Sequence, residues 1–399
     1  MSEFGVALDA PWEYGNRALL LAPMVRINTL PFRLLAAEHG ADIVYSEELI
    51  DHSIKACRRS ENASGRIEFR RNDDSKKLIF STVPHERVAF QMGTASGPSA
   101  LEAARVVVDD VRAIDVNMGC PEKFSTHGGM GSALLSQPEK VRDILRTLVS
   151  NLGAKPVTCK IRLLDDPHKT LQLARLIWDT GVAALAVHVR RIPDRPRFWS
   201  QWDQYKLLRE HRPLSQPLIL NGDVFRPEDI TRAFDLTSAD ALMLARGAMW
   251  NPALFRRAED ALVPHSDLLV RYVEIAEEHN NHFGNTKYVA LQMLDGCGKT
   301  NVFRTIQQAR EYSDLRKAVE TMIDCPPFDR PPRVHLHQQP APDLPHAAAL
   351  DINSWRDIPS HCTAAIAARG SKSATGLKRK YLDLGSNVDT EKKERDRGN

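Results

Sequence analysis

Along the first two-thirds of the chain, short apolar and often β-branched runs alternate with longer amphipathic stretches. Eight such runs recur, at residues 18–22, 42–46, 88–92, 113–117, 157–161, 184–189, 218–220 and 241–244. Most are apolar on both faces (LLLA, LAVHV, LIL, LMLA) rather than at alternate positions, the pattern of strands buried on both sides in a parallel sheet. The stretches between them, such as 99–109, 138–150, 169–180 and 227–233, carry the spacing of helices. Repeated strand–helix alternation predicts right-handed βαβ units. Eight of them predict an α/β fold closed as a (β/α)8 TIM barrel rather than an open sheet. Residues 55–87 are polar and charged, break the repeat, and are predicted to form an excursion with a short hairpin between the second and third strands.

After Phe255 the pattern changes. Residues 265–283 and 287–294 are predicted to be helical, with continuation through 301–322. The division expected is a barrel over 1–260, a small helical domain over 261–324 and a tail over 325–399. The tail opens proline-rich, turns polar and ends in EKKERDRGN. Such a composition buries too little apolar surface to fold, so disorder is expected there. Its LKRKY stretch (377–381) fits a nuclear-import patch, although a solvated tail is the simpler reading.

Composition narrows the class without changing this picture. The chain has 399 residues, 42% hydrophobic and 26% charged, as in ordinary globular proteins. A net charge of +3 permits a nucleic-acid partner without arguing for one. The six cysteines (57, 120, 159, 297, 325 and 362) form no C-x-x-C pair and show neither disulfide nor zinc spacing. Reduced intracellular thiols and no metal are therefore expected. The first residues carry no long apolar run, so no signal peptide is expected, and no apolar stretch is long enough to predict a membrane span. The predicted location is the cytoplasm, with the nucleus as a second compartment.

In this fold, chemistry collects at the C-terminal ends of the strands. The first strand ends in Ala22-Pro23-Met24, the third in Gln91-Met92-Gly93 and the fourth in Asn117-Met118-Gly119-Cys120-Pro121. The fifth carries Lys160 and Arg162, and the sixth His188, Arg190 and Arg191. The seventh ends in Asn221-Gly222-Asp223 and the eighth in Ala245-Arg246-Gly247. Gly222 and Gly247, in the last two loops and beside Arg246, point to a phosphate site rather than to two ordinary turns. A lysine inside the apolar run VTCKIRL needs an anion or a lowered pKa. Lys160 is thus either a Schiff-base amine or a donor to a ring that gains negative charge on reduction, such as a flavin. Gln91 and His188 suit hydrogen bonding to a flat heteroaromatic ring, though His188 alone reads equally well as a core histidine. Cys120, between glycine and proline at the mouth, suits general acid or nucleophile chemistry, whereas mid-strand Cys159 reads as core. Gly128, Gly129 and Gly131 allow either a closing loop or a wide turn.

Taken in order, APM (22–24), FQMG (90–93), DVNMGCP (115–121), GGMGSALL (128–135), CKIR (159–162), VHVR (187–190), NGD (221–223) and ARGAMWNP (245–252) resemble the tRNA-dihydrouridine synthases. Segments such as APMVRINTLPFRLLA and ADIVYSEELID resemble the eukaryotic type acting on uridine 20 of the D-loop, without the double-stranded RNA-binding domain of some animal members. The resemblance implies FMN at the barrel mouth, NADPH as reductant and cytoplasmic tRNA as substrate. It implies that Cys120 donates a proton to C5 of uracil. It also implies that Ala22, Pro23, Met24, Gln91, Lys160, His188, Asn221, Gly222, Asp223, Ala245, Arg246 and Gly247 bind FMN, with Asn117 on the substrate side. Lys123, Arg162, Arg190, Arg191, Arg195 and Arg197 are expected on a basic rim for RNA phosphates. Where the family carries HGR, this chain has His188-Val189-Arg190. The competing readings are an FMN barrel reductase of a small pyrimidine, a silent RNA-binding homologue and a Schiff-base aldolase using Lys160.

Overall fold

The protein is described by a computed structural model over residues 14–194, 199–256, 263–294 and 301–322. Strand β1 (Ala18–Leu21) leads to α1 (Leu30–Glu38), β2 (Ile43–Tyr45), the short β3 (Leu49–Ile50) and α2 (Asp51–Lys55). Three strands follow: β4 (Cys57–Glu61), β5 (Ile67–Arg71) and β6 (Leu78–Thr82). The repeat then resumes with β7 (Val88–Gly93), α3 (Gly97–Val107), β8 (Ala113–Met118), α4 (Lys123–Thr126) and α5 (Pro138–Asn151). It continues through β9 (Val157–Leu163), α6 (Pro167–Trp178), β10 (Ala184–Arg191), α7 (Trp202–His211), β11 (Leu218–Asn221), α8 (Pro227–Thr237), β12 (Ala241–Leu244) and the short α9 (Arg246–Trp250). Four helices end the described chain: α10 (His265–Glu278), α11 (Phe283–Met293), α12 (Asn301–Gln308) and α13 (Tyr312–Glu320).

Eight parallel strands close on themselves in the order β2-β1-β12-β11-β10-β9-β8-β7, with β2 pairing back to β7. This is the predicted TIM barrel, and all eight expected runs are its strands. Side chains alternate between two shells. Leu19 and Leu21 face the surrounding helices, while Leu20, Ile43, Tyr45, Ala89, Ala113, Ala186 and Ile219 form a second cluster, filling the barrel. Both shells are apolar, which is why the runs show no alternation. Cys159 is fully buried in the outer shell, as expected of a core thiol.

The excursion is larger than the predicted hairpin: β4, β5 and β6 form a three-stranded antiparallel sheet. Its apolar face is Phe69 stacked on Phe80 at 5.7 Å, with Phe80 edge-on to Phe90 of the barrel at 5.1 Å. The outermost strand, CRRSE, is almost wholly exposed and charged, so hydropathy hides it. The predicted helix 265–283 also stops early. The chain turns at Asn280 with φ of 47° before re-entering α11, a conformation that asparagine tolerates better than most residues. The expected tail lies outside the described residues. No helix among those described is long and apolar enough to cross a membrane.

One buried charge ties the excursion to the barrel. Arg33 of α1, 2% exposed, donates to both carboxylate oxygens of Glu86 and to the carbonyls of Asn28 and Ser81. Thr82 at the end of β6 donates to the same carboxylate. Removing one partner of such a pair strands the other charge in low dielectric, so Arg33→Met is expected to cost about 3–5 kcal/mol in urea unfolding. Arg33→Met/Glu86→Leu is expected to recover at least half of that loss. A single variant as stable as the parent would show that the pair does not hold the excursion.

Candidate active site

The strands β7, β8 and β9 carry a chain of polar groups inside the barrel. Asp115, fully buried, accepts from Gln91 Nε2 at 2.7 Å and from Thr158 Oγ1 at 2.6 Å. Gln91 Oε1 accepts from Asn117 Nδ2 at 3.0 Å. Asn117 Oδ1 accepts from the backbone N–H groups of Gly119 and Cys120, both at 2.9 Å. A buried carboxylate therefore fixes two amide orientations in series, and the series ends at the backbone of Cys120. Burial pushes the Asp115 carboxyl up to about 6, against the pull of Thr158, Gln91 and Lys160. The sequence reading did not single out Asp115. Its signal is an acid in an inward position of the apolar run AIDVNM. Asn117, expected on the substrate side, is 8% exposed and holds the cysteine turn.

Lys160 lies level with Asn117 across the β8–β9 pairing. Burial, then Arg162, presses its amine down to about 7, and among the described residues it makes no hydrogen bond or ion pair. Arg162 donates to the Gly119 carbonyl at 2.8 Å, bracing the cysteine turn from the next strand. Cys120 is half-buried. Burial first, then the Glu48 carboxyl, pushes its thiol up to about 12. At neutral pH this sulfur holds its proton, so it is equipped as an acid rather than as a nucleophile.

The ends of β10, β11 and β12 build an electropositive pocket. His188 lies level with Arg162 on one side and Asn221 on the other. Burial, then Lys160, Arg162, Arg190 and Arg246, holds its imidazole neutral, well below the usual histidine range. Arg190 contacts His188 Nε2 at 3.2 Å and pairs with Asp223. Arg246 reaches the same Asp223 oxygen at 3.1 Å. Two guanidiniums thus share one carboxylate beside a cavity of about 220 Å³ bordered by His188, Gly222, Phe225, Ala245 and Arg246. Gly222 has φ of +145°, and a Cβ there would lie 2.9 Å from Ser200. A Cβ on Gly247 would collide with the Val224 carbonyl oxygen, so this glycine is needed for packing between the last two loops.

Most predicted site residues converge on this mouth, and a few stand elsewhere. Ala22 is buried inside the barrel, and Pro23 and Met24 are half-buried in the loop after β1. Asn221 donates to the Met243 carbonyl at 2.7 Å, tying β11 to β12. Lys123 is exposed on α4, and Arg191 sits at the edge, paired with Asp194. Arg190 is a correction: expected on the rim, it is only 3% exposed because Asp223 holds it in the pocket wall. Arg195 and Arg197 lie outside the described residues. Two further groups were missed. Asn28 staples the loops after β1 and β2 through the carbonyls of Ala22 and Tyr45. Glu48, 6% exposed, accepts from Ser125 beneath the cysteine loop.

Comparison with known proteins adds one family. The profile described as dihydrouridine synthase (Dus) matches residues 20–324. A Schizosaccharomyces pombe protein named as a tRNA-dihydrouridine(20) synthase using NAD(P)+ is 37% identical over 320 residues, covering 77% of this chain and 65% of its own length. A Saccharomyces cerevisiae protein of the same name is 36% identical over 327 residues, covering 77% of this chain and 84% of its own. A tRNA-dihydrouridine(16/17) synthase of Schizosaccharomyces pombe is 34% identical over 275 residues, covering 67% and 63%. The chain thus spans just under two-thirds of the first of these relatives.

The strained charge on Lys160 has a measurable sign. In the unfolded chain its amine binds a proton up to its ordinary value of 10.5, but in the folded protein only up to about 7. Unfolding therefore takes up a proton between those limits, and stability rises with pH across that window. Lys160→Met is expected to flatten this slope and to stabilise the ligand-free protein most at pH 7 and below. Denaturation curves of both proteins from pH 6 to 10 test this, and parallel curves would refute a strained amine.

Proposed function

This chain belongs to the dihydrouridine synthase family, and on that footing we propose that it reduces uridine in tRNA to 5,6-dihydrouridine with FMN and NADPH. The target we propose is position 20 of the D-loop, in line with the names of two relatives. The observation that carries the reading is the meeting, in one mouth, of a protonated thiol, a lysine amine pressed down by burial and a pocket with two arginines on one carboxylate.

The residues present fit FMN. The cavity beside Arg190, Arg246 and Gly222 suits a phosphate, since its positive charge exceeds what Asp223 balances. Lys160, which makes no hydrogen bond or ion pair among the described residues, suits the edge of a ring that becomes anionic on reduction. Gln91 and neutral His188 would hydrogen-bond the same ring. Ala22, Pro23, Met24, Asn221, Asp223, Ala245 and Gly247 would supply the walls. When bound, FMN supplies the hydride that NADPH provides.

The remaining work falls to this chain. A uracil in stacked RNA must leave its stack to enter the mouth. Exposed Lys123 and Arg191 stand where RNA phosphates would pass. As hydride reaches C6, the Cys120 thiol gives its proton to C5, so the two atoms of the double bond gain one hydrogen each. The turn that holds the thiol is fixed by Asn117 and Arg162, so the acid is positioned before the base arrives.

Purified protein is expected to be yellow; colourless protein that takes up no FMN would refute the reading. Arg246→Met is expected to weaken FMN about tenfold or more while leaving riboflavin, which lacks the phosphate, nearly unaffected. Cys120→Ala is expected to keep FMN and NADPH oxidation but to lower dihydrouridine formation by about 10²-fold or more, as removal of a general acid does. Sequencing of dihydrouridine in tRNA from cells lacking the chain tests the position, with loss confined to position 20 expected.

A further inference from the structure

The mechanism uses the proton of Cys120 once and leaves a thiolate that must be reloaded before the next turnover. One acid lies against it. Glu48, in the link between β2 and β3, is 6% exposed, and its carboxyl lies close enough to the Cys120 thiol to raise that group's proton affinity. Its Oε1 accepts from Ser125 Oγ at 2.7 Å. Its Oε2 is buried with no hydrogen-bond partner among the described residues.

The surroundings are shaped around this carboxyl. Gly93, the last residue of β7, leaves room for it: a Cβ there would stand 2.7 Å from Glu48 Oε1. Gly131, with φ of +58°, passes so close to Ser125 Oγ and the Cys120 carbonyl that any side chain would collide with both. Ser132 N–H donates to the Cys120 carbonyl at 2.9 Å, so the glycine-rich segment closes back on the turn that bears the thiol. Two glycines from different elements thus press the Glu48 carboxyl, the Ser125 hydroxyl and the backbone of the thiol-bearing residue together.

We propose that Glu48 is the positioning residue that reloads Cys120, passing a proton from its carboxyl to the thiolate after each reduction and regaining one from water. The proposal rests on the reading of Cys120 as the acid of uridine reduction. The balance is closed. The S–H bond breaks as the C5–H bond forms, the Glu48 O–H bond then breaks as S–H re-forms, and water returns the proton to Glu48. The hydride comes from reduced flavin, which is left oxidised and is reduced again by NADPH, so the proton relay itself needs no other reactant. Burial favours the protonated form of Glu48 by raising its pKa, against the pull of Ser125 and the thiol. On the sulfur, the Glu48 carboxyl raises the proton affinity, the Glu122 N–H lowers it and the Glu122 carboxylate raises it, while Lys160 acts from β9.

Glu48→Gln keeps the shape and removes the acid. In rapid-quench experiments with the FMN-loaded protein and tRNA, its first turnover is expected within about threefold of wild type, because Cys120 starts protonated. Its steady-state rate is expected to fall on the order of 10²-fold. Imidazole buffer, a small proton donor, is expected to restore part of the loss, and Glu48→Asp more of it. Without RNA or NADPH, iodoacetamide alkylation of Cys120 is expected to shift its midpoint down by about one pH unit or more, since a neighbouring carboxylate is gone. Should Glu48→Gln fail to fold, Ser125→Ala serves. Loss of the hydroxyl donor raises the carboxyl's proton affinity, so the alkaline fall of the steady-state rate is expected at higher pH. A wild-type steady-state rate in Glu48→Gln, equal loss of first and later turnovers with an unmoved alkylation midpoint, or an unmoved alkaline fall in Ser125→Ala would each overturn the relay. If wild type itself forms no dihydrouridine, the functional reading fails instead, and the alkylation shift still reports whether Glu48 governs the thiol.

Discussion

Closure of β1 onto β12 is the constraint on which everything else in this protein depends. Ala18 to Leu21 pair in register with Ala241 to Leu244, and β2 pairs back to β7. Once the ring is closed, each inward residue at a strand's end is delivered to the same rim as its neighbours'. Gln91 meets Asp115, Asn117 meets Lys160, and His188 meets both Arg162 and Asn221 in direct register. Residues far apart in the chain thus become a single polar layer above an interior of alanine, isoleucine and tyrosine. Slipping any one strand by a residue would turn its polar group outward into the apolar shell.

That layer is organised by charges that are costly in isolation. Asp115 is buried and tolerated because two donors satisfy it. Asp223 is tolerated because two arginines need it. Lys160 makes no hydrogen bond or ion pair among the described residues, and Asp115 offsets its burial only in part. The contrast separates structural charges from functional ones on physical grounds, without appeal to relatedness.

Much of this was legible in the sequence. Apolar runs without alternation identified parallel strands, and the strand-end residues identified the mouth, because both follow from local pattern and one topological rule. What escaped depends on contacts between distant segments. Glu48 follows Glu47 and looks like a solvated acidic pair, yet Gly93 and the cysteine loop bury it. Arg190 sits in a basic run that resembles a rim, yet Asp223, over thirty positions along the chain, draws it inward. The strand CRRSE has no apolar face to betray it and is recruited only by its pairing with β5. Burial of a charge is decided by its partner, and hydropathy cannot see partners.

The loop after β1 carries a further consequence. Arg26 lies over the Tyr288 ring at 3.8 Å, its carbonyl accepts from Asn285, and Thr29 bonds the same asparagine at 3.0 Å. The beginning of the barrel is therefore clasped by a helix that emerges from the ribosome more than 250 residues later. During synthesis the nascent ring has to wait for α11 before its first loop is clasped, however early its strands assemble. A chain ending before that helix would lack the groups that clasp the loop after β1.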